Sequence, residues 1–153
     1  MRKFLPLVIS IGGTLAVGGL AAWLTRDSYG IYSILEKPAL SPPAALFPIV
    51  WGVLYVLMGI SVYLIYRSDC RNKDSLIELY IIQLAVNFVW PLIFFNWQMF
   101  FAAFVWLVLL WVLIILMAVL FYRCDKRAAY LLIPYILWVT FAGYLNYMVY
   151  LLN

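Results

Sequence analysis

Long apolar runs, separated by short charged linkers, dominate the chain. Five runs stand out, at about residues 4–25, 46–66, 76–95, 98–122 and 128–152. Each reaches the ~20 residues that, at 1.5 Å per residue, cross a hydrocarbon core about 30 Å thick. Backbone amides in lipid must be satisfied within their own segment, and runs this long and uniformly apolar do not alternate as barrel strands do. The pattern therefore predicts an all-α polytopic membrane protein, a single domain over 1–153 built as a bundle of five transmembrane helices. Arg2 and Lys3 ahead of the first run mimic a secretory leader. The run itself exceeds the roughly 7–15 residues of a leader core, so it reads as a retained first helix.

Composition sharpens this. The chain is 69% hydrophobic and 10% charged, with a mean hydropathy of +1.06, too little polar surface to coat a water-soluble globule of 153 residues. The net charge of +4 comes from linker residues between apolar runs, which excludes a nucleic-acid interface. Eight of the ten basic residues fall on one face: Arg2 and Lys3, then Arg67, Arg71 and Lys73, then Arg123, Lys126 and Arg127. The positive-inside rule then puts the N-terminus in the cytoplasm and the C-terminus outside. Cys70 and Cys124, in linkers of that same face and without metal-binding spacing, are expected as free thiols in a reducing compartment. No His occurs, which removes the commonest metal ligand and the usual neutral-pH proton shuttle, so neither a metal site nor a bound cofactor is expected.

The first linker, 26–45, is long and carries Tyr29, Ile31, Tyr32, Ile34, Leu35, Pro38, Pro42 and Pro43. A solvated tether needs no such apolar surface, and the segment reads as a lid over the helix ends; the competing reading is an interfacial loop stiffened by prolines. Within the spans no Asp, Glu, Lys or Arg lies near mid-membrane. Ion-driven transport relies on such charges, so it is disfavoured.

Neutral polar groups are instead gathered with aromatics. Gln83, Asn87, Trp90 and Phe94 follow one another at helical spacing on the third run. Buried amides either bond neighbouring helices or hold a ligand's polar atoms, and for Gln83 the two readings weigh equally. Trp51, Tyr55 and Met58 share a face of the second run, and Trp138 follows Pro134 in the fifth. Counting along antiparallel spans, Trp51 and Trp90 lie roughly 6–8 Å below the outer surface. These side chains could line one outward cavity beneath the lid, suited to a flat, largely apolar ligand and not to a sugar or an ion. The first run repeats Ser10, Thr14, Gly18 and Ala22, a row that permits close helix approach. The fourth, without a polar side chain from Met99 to Tyr122, is expected to face lipid or a partner subunit.

The ordered motifs resemble the TspO/MBR family, the translocator proteins also called peripheral-type benzodiazepine receptors. They comprise Lys37-Pro38 and Pro42-Pro43, Pro48, Trp51 through Tyr55, Met58-Gly59, Leu79-Tyr80, Gln83 through Ala85, Asn87, Trp90-Pro91, Ile93 through Phe95, Pro134-Tyr135, Trp138, Phe141-Ala142 and Leu145 through Tyr147. The resemblance spans essentially the whole chain. It implies a five-helix bundle, commonly a homodimer, that receives protoporphyrin IX-type tetrapyrroles and isoquinoline carboxamides under the first loop. Carried over by residue, Trp51, Asn87, Trp90 and Trp138 contact the ligand while Tyr32 and Pro42 close the site; Tyr55, Gln83 and Phe94 are added from the stripes above. Some members are described as promoting light-dependent porphyrin breakdown, for which Trp51 and Trp138 match the implicated, catalytic tryptophans. Passive transport of tetrapyrroles or lipidic molecules is the alternative function. Animal members carry a C-terminal sterol motif that needs a basic residue after its tyrosine; none follows Arg127 here, which argues against sterol and for a bacterial, plasma-membrane member.

Overall fold

A computed structural model describes residues 2–153. Helices α1 (Leu5–Leu24), α2 (Leu46–Arg67), α3 (Lys73–Pro91), α4 (Phe100–Cys124), α5 (Lys126–Leu131) and α6 (Ile133–Leu152) account for most of them, and the described residues contain no strand. Five segments are long and apolar enough to cross a membrane: Leu5–Leu24, Leu46–Arg67, Lys73–Asn96, Phe100–Cys124 and Lys126–Leu152. The chain is thus an integral membrane protein of the all-α class.

Prolines set the two irregular spans. Pro91 has no N–H to offer the carbonyl of Asn87, and the chain widens into a π turn over Leu92–Asn96 before α4. Gln98, in the connection that follows, takes a left-handed conformation (φ 54°). In the last span Pro134 stands at the start of α6, and the helix is interrupted at Leu132, leaving short α5 ahead of it. Asp125 caps α5 by accepting from the Arg127 amide at 2.9 Å, and the Arg127 guanidinium beside it holds its carboxyl below the usual range.

Because lipid tails are as apolar as the side chains they meet, packing and hydrogen bonds rather than water exclusion hold the helices together. The α1–α2 contact rests on glycine. A Cβ on Gly59 would lie 2.6 Å from the Ile11 Cα, and one on Gly18 would strike the Tyr55 ring. Helix α4 does not simply face lipid. Its Ala103, Leu107, Leu110, Ile114, Met117 and Phe121, at helical spacing, are fully buried in the bundle, while Phe101, Val105, Val108 and Val112 on its other side are exposed.

The cysteines correct the expectation of free thiols. Cys70, between α2 and α3, and Cys124, at the end of α4, have Cα atoms 5.7 Å apart and are joined as a disulfide, a separation within the normal range for the bond. Two linkers on the same face of a bundle can meet across it, and their 54-residue separation in sequence gives no hint of that.

Candidate functional site

A cavity of about 410 Å³ opens in the half of the bundle beneath the first linker. Its walls are aromatic: Trp51 and Tyr55 from α2, Trp90 from α3, and Phe94 and Phe95 from the π turn. Trp90 lies 5.3 Å from Phe94 and Trp51 lies 5.7 Å from Tyr55, centroid to centroid, both pairs tilted. Helix α1 contributes small residues, Gly18, Ala21 and Ala22, and α6 contributes Ala142 and Asn146, which is where the space comes from. Arg26, at the end of α1, is the charged residue among the lining; its guanidinium lies 4.2 Å over the Trp23 ring.

Polar groups are fixed before any ligand arrives. The Tyr55 hydroxyl donates to Asn87 Oδ1 (3.0 Å), Asn87 Nδ2 donates to the Tyr135 hydroxyl (2.7 Å), and that hydroxyl donates to Gln83 Oε1 (2.8 Å). Four side chains on α2, α3 and α6 thus form one chain at the cavity's base, which locks the Asn87 amide at the wall. The Gln83 Nε2 is buried without a partner. A second clamp runs from Trp90 Nε1 to Asn146 Oδ1 (3.0 Å) and from Asn146 Nδ2 to the Phe100 carbonyl (2.8 Å), so the Trp90 ring cannot swing away without breaking it.

The first linker is an ordered cover. Its 3-10 turn, Tyr29–Ser33, sets two phenols inward: Tyr29 donates to the Ala44 carbonyl and Tyr32 to the Pro42 carbonyl, both at 2.7 Å. Burial pushes both phenols up from their ordinary pKa, so they stay protonated donors at any physiological pH. Lys37 Nζ closes the loop on itself, donating to the Tyr32 carbonyl at 2.7 Å. Asn96 Nδ2 donates to the Leu24 carbonyl at 3.0 Å and its Oδ1 accepts from Ser28. At the far end Asn153 exchanges bonds with the Glu36 amide and carbonyl (3.3 and 3.0 Å), tying the cover to α6.

Of the residues singled out in the sequence, Tyr32, Trp51, Tyr55, Asn87, Trp90 and Phe94 come together in the cavity wall. Pro42 stands behind it as the acceptor for Tyr32. Gln83 is fully buried and joins helices through Tyr135 rather than meeting the cavity. Trp138 does not line the cavity either: it packs edge-on against Phe47, which does, at 5.7 Å, and against Phe141. Tyr135, Asn146, Ala142 and Arg26 escaped the sequence reading as site residues. The spacing of Ala142, Asn146 and Val149 along one face of α6 was the available signal for two of them.

The bundle and its covered, aromatic, amide-bearing cavity define a polytopic helical membrane protein with an internal cavity. The model of the TspO/MBR family matches residues 10–151, and the chain belongs to that family. It is similar to the "Tryptophan-rich protein TspO" of Chlorobaculum tepidum, 37% identical with 99% of this chain and 98% of the relative covered. It is also similar to "Protein CrtK" of Rhodobacter capsulatus (36% identical, 93% of this chain and 85% of the relative) and to the "Translocator protein" of Bos taurus (36% identical, 93% and 88%).

Proposed function

We propose that this protein is a membrane receptor for protoporphyrin IX-type tetrapyrroles, which enter the covered cavity edge-first between Trp51 and Trp90. The observation that carries the reading is the coincidence of two indoles, Trp51 and Trp90, a fixed Asn87 amide and one cation, Arg26, in the wall of a single cavity. Indoles and phenyl rings suit the macrocycle's flat face, the amide its pyrrolic nitrogens, and the guanidinium a peripheral carboxylate. Isoquinoline carboxamides, flat and neutral with one carbonyl, fit the same wall without using Arg26. The hydrogen-bonded base of Tyr55, Asn87, Tyr135 and Gln83 favours retention over passage, so binding ranks above passive transport.

The chain works in the bacterial plasma membrane as a homodimer, with the cavity opening on the side away from the basic linkers. Light-driven porphyrin breakdown is a second activity of the same cavity. Trp51, in the wall, would give an electron to a bound, photoexcited macrocycle, with dioxygen as the terminal oxidant that takes up the electrons as the ring opens, and Trp138 packs behind Phe47. The product formed under illumination should then slow more for Trp51→Phe than for Trp138→Phe, and equal rates in both variants and the parent would remove that activity.

Titration of tryptophan fluorescence with protoporphyrin IX tests the receptor reading. Trp51→Ala and Asn87→Ala should each weaken binding by tenfold or more, about 1.4 kcal/mol, and Trp138→Ala by less. Unchanged affinity in the triple Ala variant would overturn it.

A further inference from the structure

A second cavity, on the opposite half of the bundle, is untouched by the reading above. It is a lateral slot between α1 and α3, floored by Val62 and Tyr66 of α2, with a volume of about 580 Å³. Its walls run from Leu5 and Pro6 to Gly13 and Thr14 on α1, and from Ile77 to Leu84 on α3. Nine residues of α1 separate Leu5 from Thr14, a slot about 13 Å long. Its roof is polar: the Thr14 and Tyr80 hydroxyls are hydrogen-bonded to each other across the two helices, and both are buried. One turn above Thr14, Gly18 already belongs to the upper cavity, so this hydroxyl pair stands between the two.

The slot lies at membrane depth, and its apolar walls admit an acyl chain from the side. Its mouth sits at the end of the bundle where the basic linkers gather. Lys73, at the start of α3, donates to the Tyr66 carbonyl at 3.2 Å and lies 5.7 Å over the ring of Tyr66, which is the slot's floor. Lys3 precedes Leu5 on the other lip, its ammonium 5.3 Å from the Phe4 ring. Asp74, beside Lys73 in the first turn of α3, and Glu78, next to Ile77 of the slot wall, are the acidic neighbours, and neither makes an ion pair among the described residues. Two cations flanking an apolar slot at the interface complement a lipid phosphate above an inserted tail.

The geometry points to this slot as a seat for one anionic phospholipid of the leaflet on the basic side, with a tail between α1 and α3 and its phosphate between Lys3 and Lys73. Gly13 provides the means to test it, because it lines the slot and a Cβ there meets nothing within 4 Å, so a larger side chain takes up slot space.

Native mass spectrometry of the full chain, titrated with phosphatidylglycerol or with phosphatidylcholine of the same chains, reads the outcome. One phosphatidylglycerol should be retained at least tenfold more tightly than phosphatidylcholine. The Lys3→Gln/Lys73→Gln pair, both surface changes, should erase that preference, and Gly13→Leu should remove the retained lipid of either kind while leaving helical circular dichroism unchanged. Equal retention of the two lipids, or a preference that survives the double lysine change, would overturn the proposal. So would a Gly13→Leu variant that keeps its lipid but loses dimer, which would assign the slot to a second copy of the chain.

Discussion

Removing one oxygen, with Tyr135→Phe, should loosen the base of the upper cavity more than its size suggests. The Tyr135 hydroxyl both donates to Gln83 Oε1 and accepts from Asn87 Nδ2, and the residue is 1% exposed. Its loss leaves the whole Gln83 amide without a partner, since Nε2 already has none, and frees the Nδ2 side of Asn87. Orphaned buried groups cost about 1–3 kcal/mol in water-soluble proteins, whereas interhelical hydrogen bonds within membranes average about 0.6 kcal/mol and reach about 1.7. Two such bonds give an expected loss of about 1–3 kcal/mol. Reversible unfolding in mixed micelles, with the SDS fraction as denaturant, measures it. Gln83→Leu in the same background completes a double-mutant cycle, and the double variant should cost less than the sum of the singles by at least about 0.5 kcal/mol, because no amide is then stranded. A Tyr135→Phe protein as stable as the parent, with a coupling of zero, would refute the hydrogen-bonded base.

Three further outcomes follow from the packing. Gly59→Ala should cost about 1–3 kcal/mol by thermal unfolding in detergent, since its methyl would meet the α1 backbone at Ile11; Gly52→Ala, with nothing within 4 Å of its Cβ, should be neutral or slightly stabilising, and equal effects would contradict the α1–α2 contact. Tyr29→Phe/Tyr32→Phe removes both bonds that hold the cover to 42–44, so stopped-flow dissociation of protoporphyrin IX should speed up severalfold with little change in association, and an unaltered off-rate would mean that the cover does not retain the ligand. Purified protein should react with maleimide only after reduction, at Cys70 and Cys124; labelling of both without reductant would exclude the disulfide.

The spans were legible because each carries its own signal, a run of about 20 apolar residues. Their irregularities were less so. Pro134 and Pro91 each mark a break in the sequence, but a missing N–H does not say that the chain widens into a π turn, and no residue-type preference predicts the left-handed backbone of Gln98. In the site, rotation about a helix axis separated what spacing had grouped. Gln83 and Asn87 lie four apart on α3, yet Tyr135 approaches from α6 to take the Gln83 oxygen, and only Asn87 keeps a face on the cavity. Spacing along the fifth run admits Trp138 to the cavity, and that spacing is blind to the Phe47 ring against which it packs. Cys70 and Cys124 show the same limit from another side. The distribution of basic residues assigns their face to the cytoplasm, where thiols stay reduced, while their proximity is a property of the assembled bundle that no linker reveals by itself.

The central claim is that a tetrapyrrole occupies the covered cavity, and filling that cavity tests it most directly. Ala22 and Ala142 line it from α1 and α6, and Ala22→Phe and Ala142→Phe each put a ring into the space. Isothermal titration with protoporphyrin IX, on variants whose helical circular dichroism and thermal midpoint match the parent, should show binding weakened at least a hundredfold in both. Parent-like affinity in both correctly folded variants would place the ligand elsewhere and contradict the account.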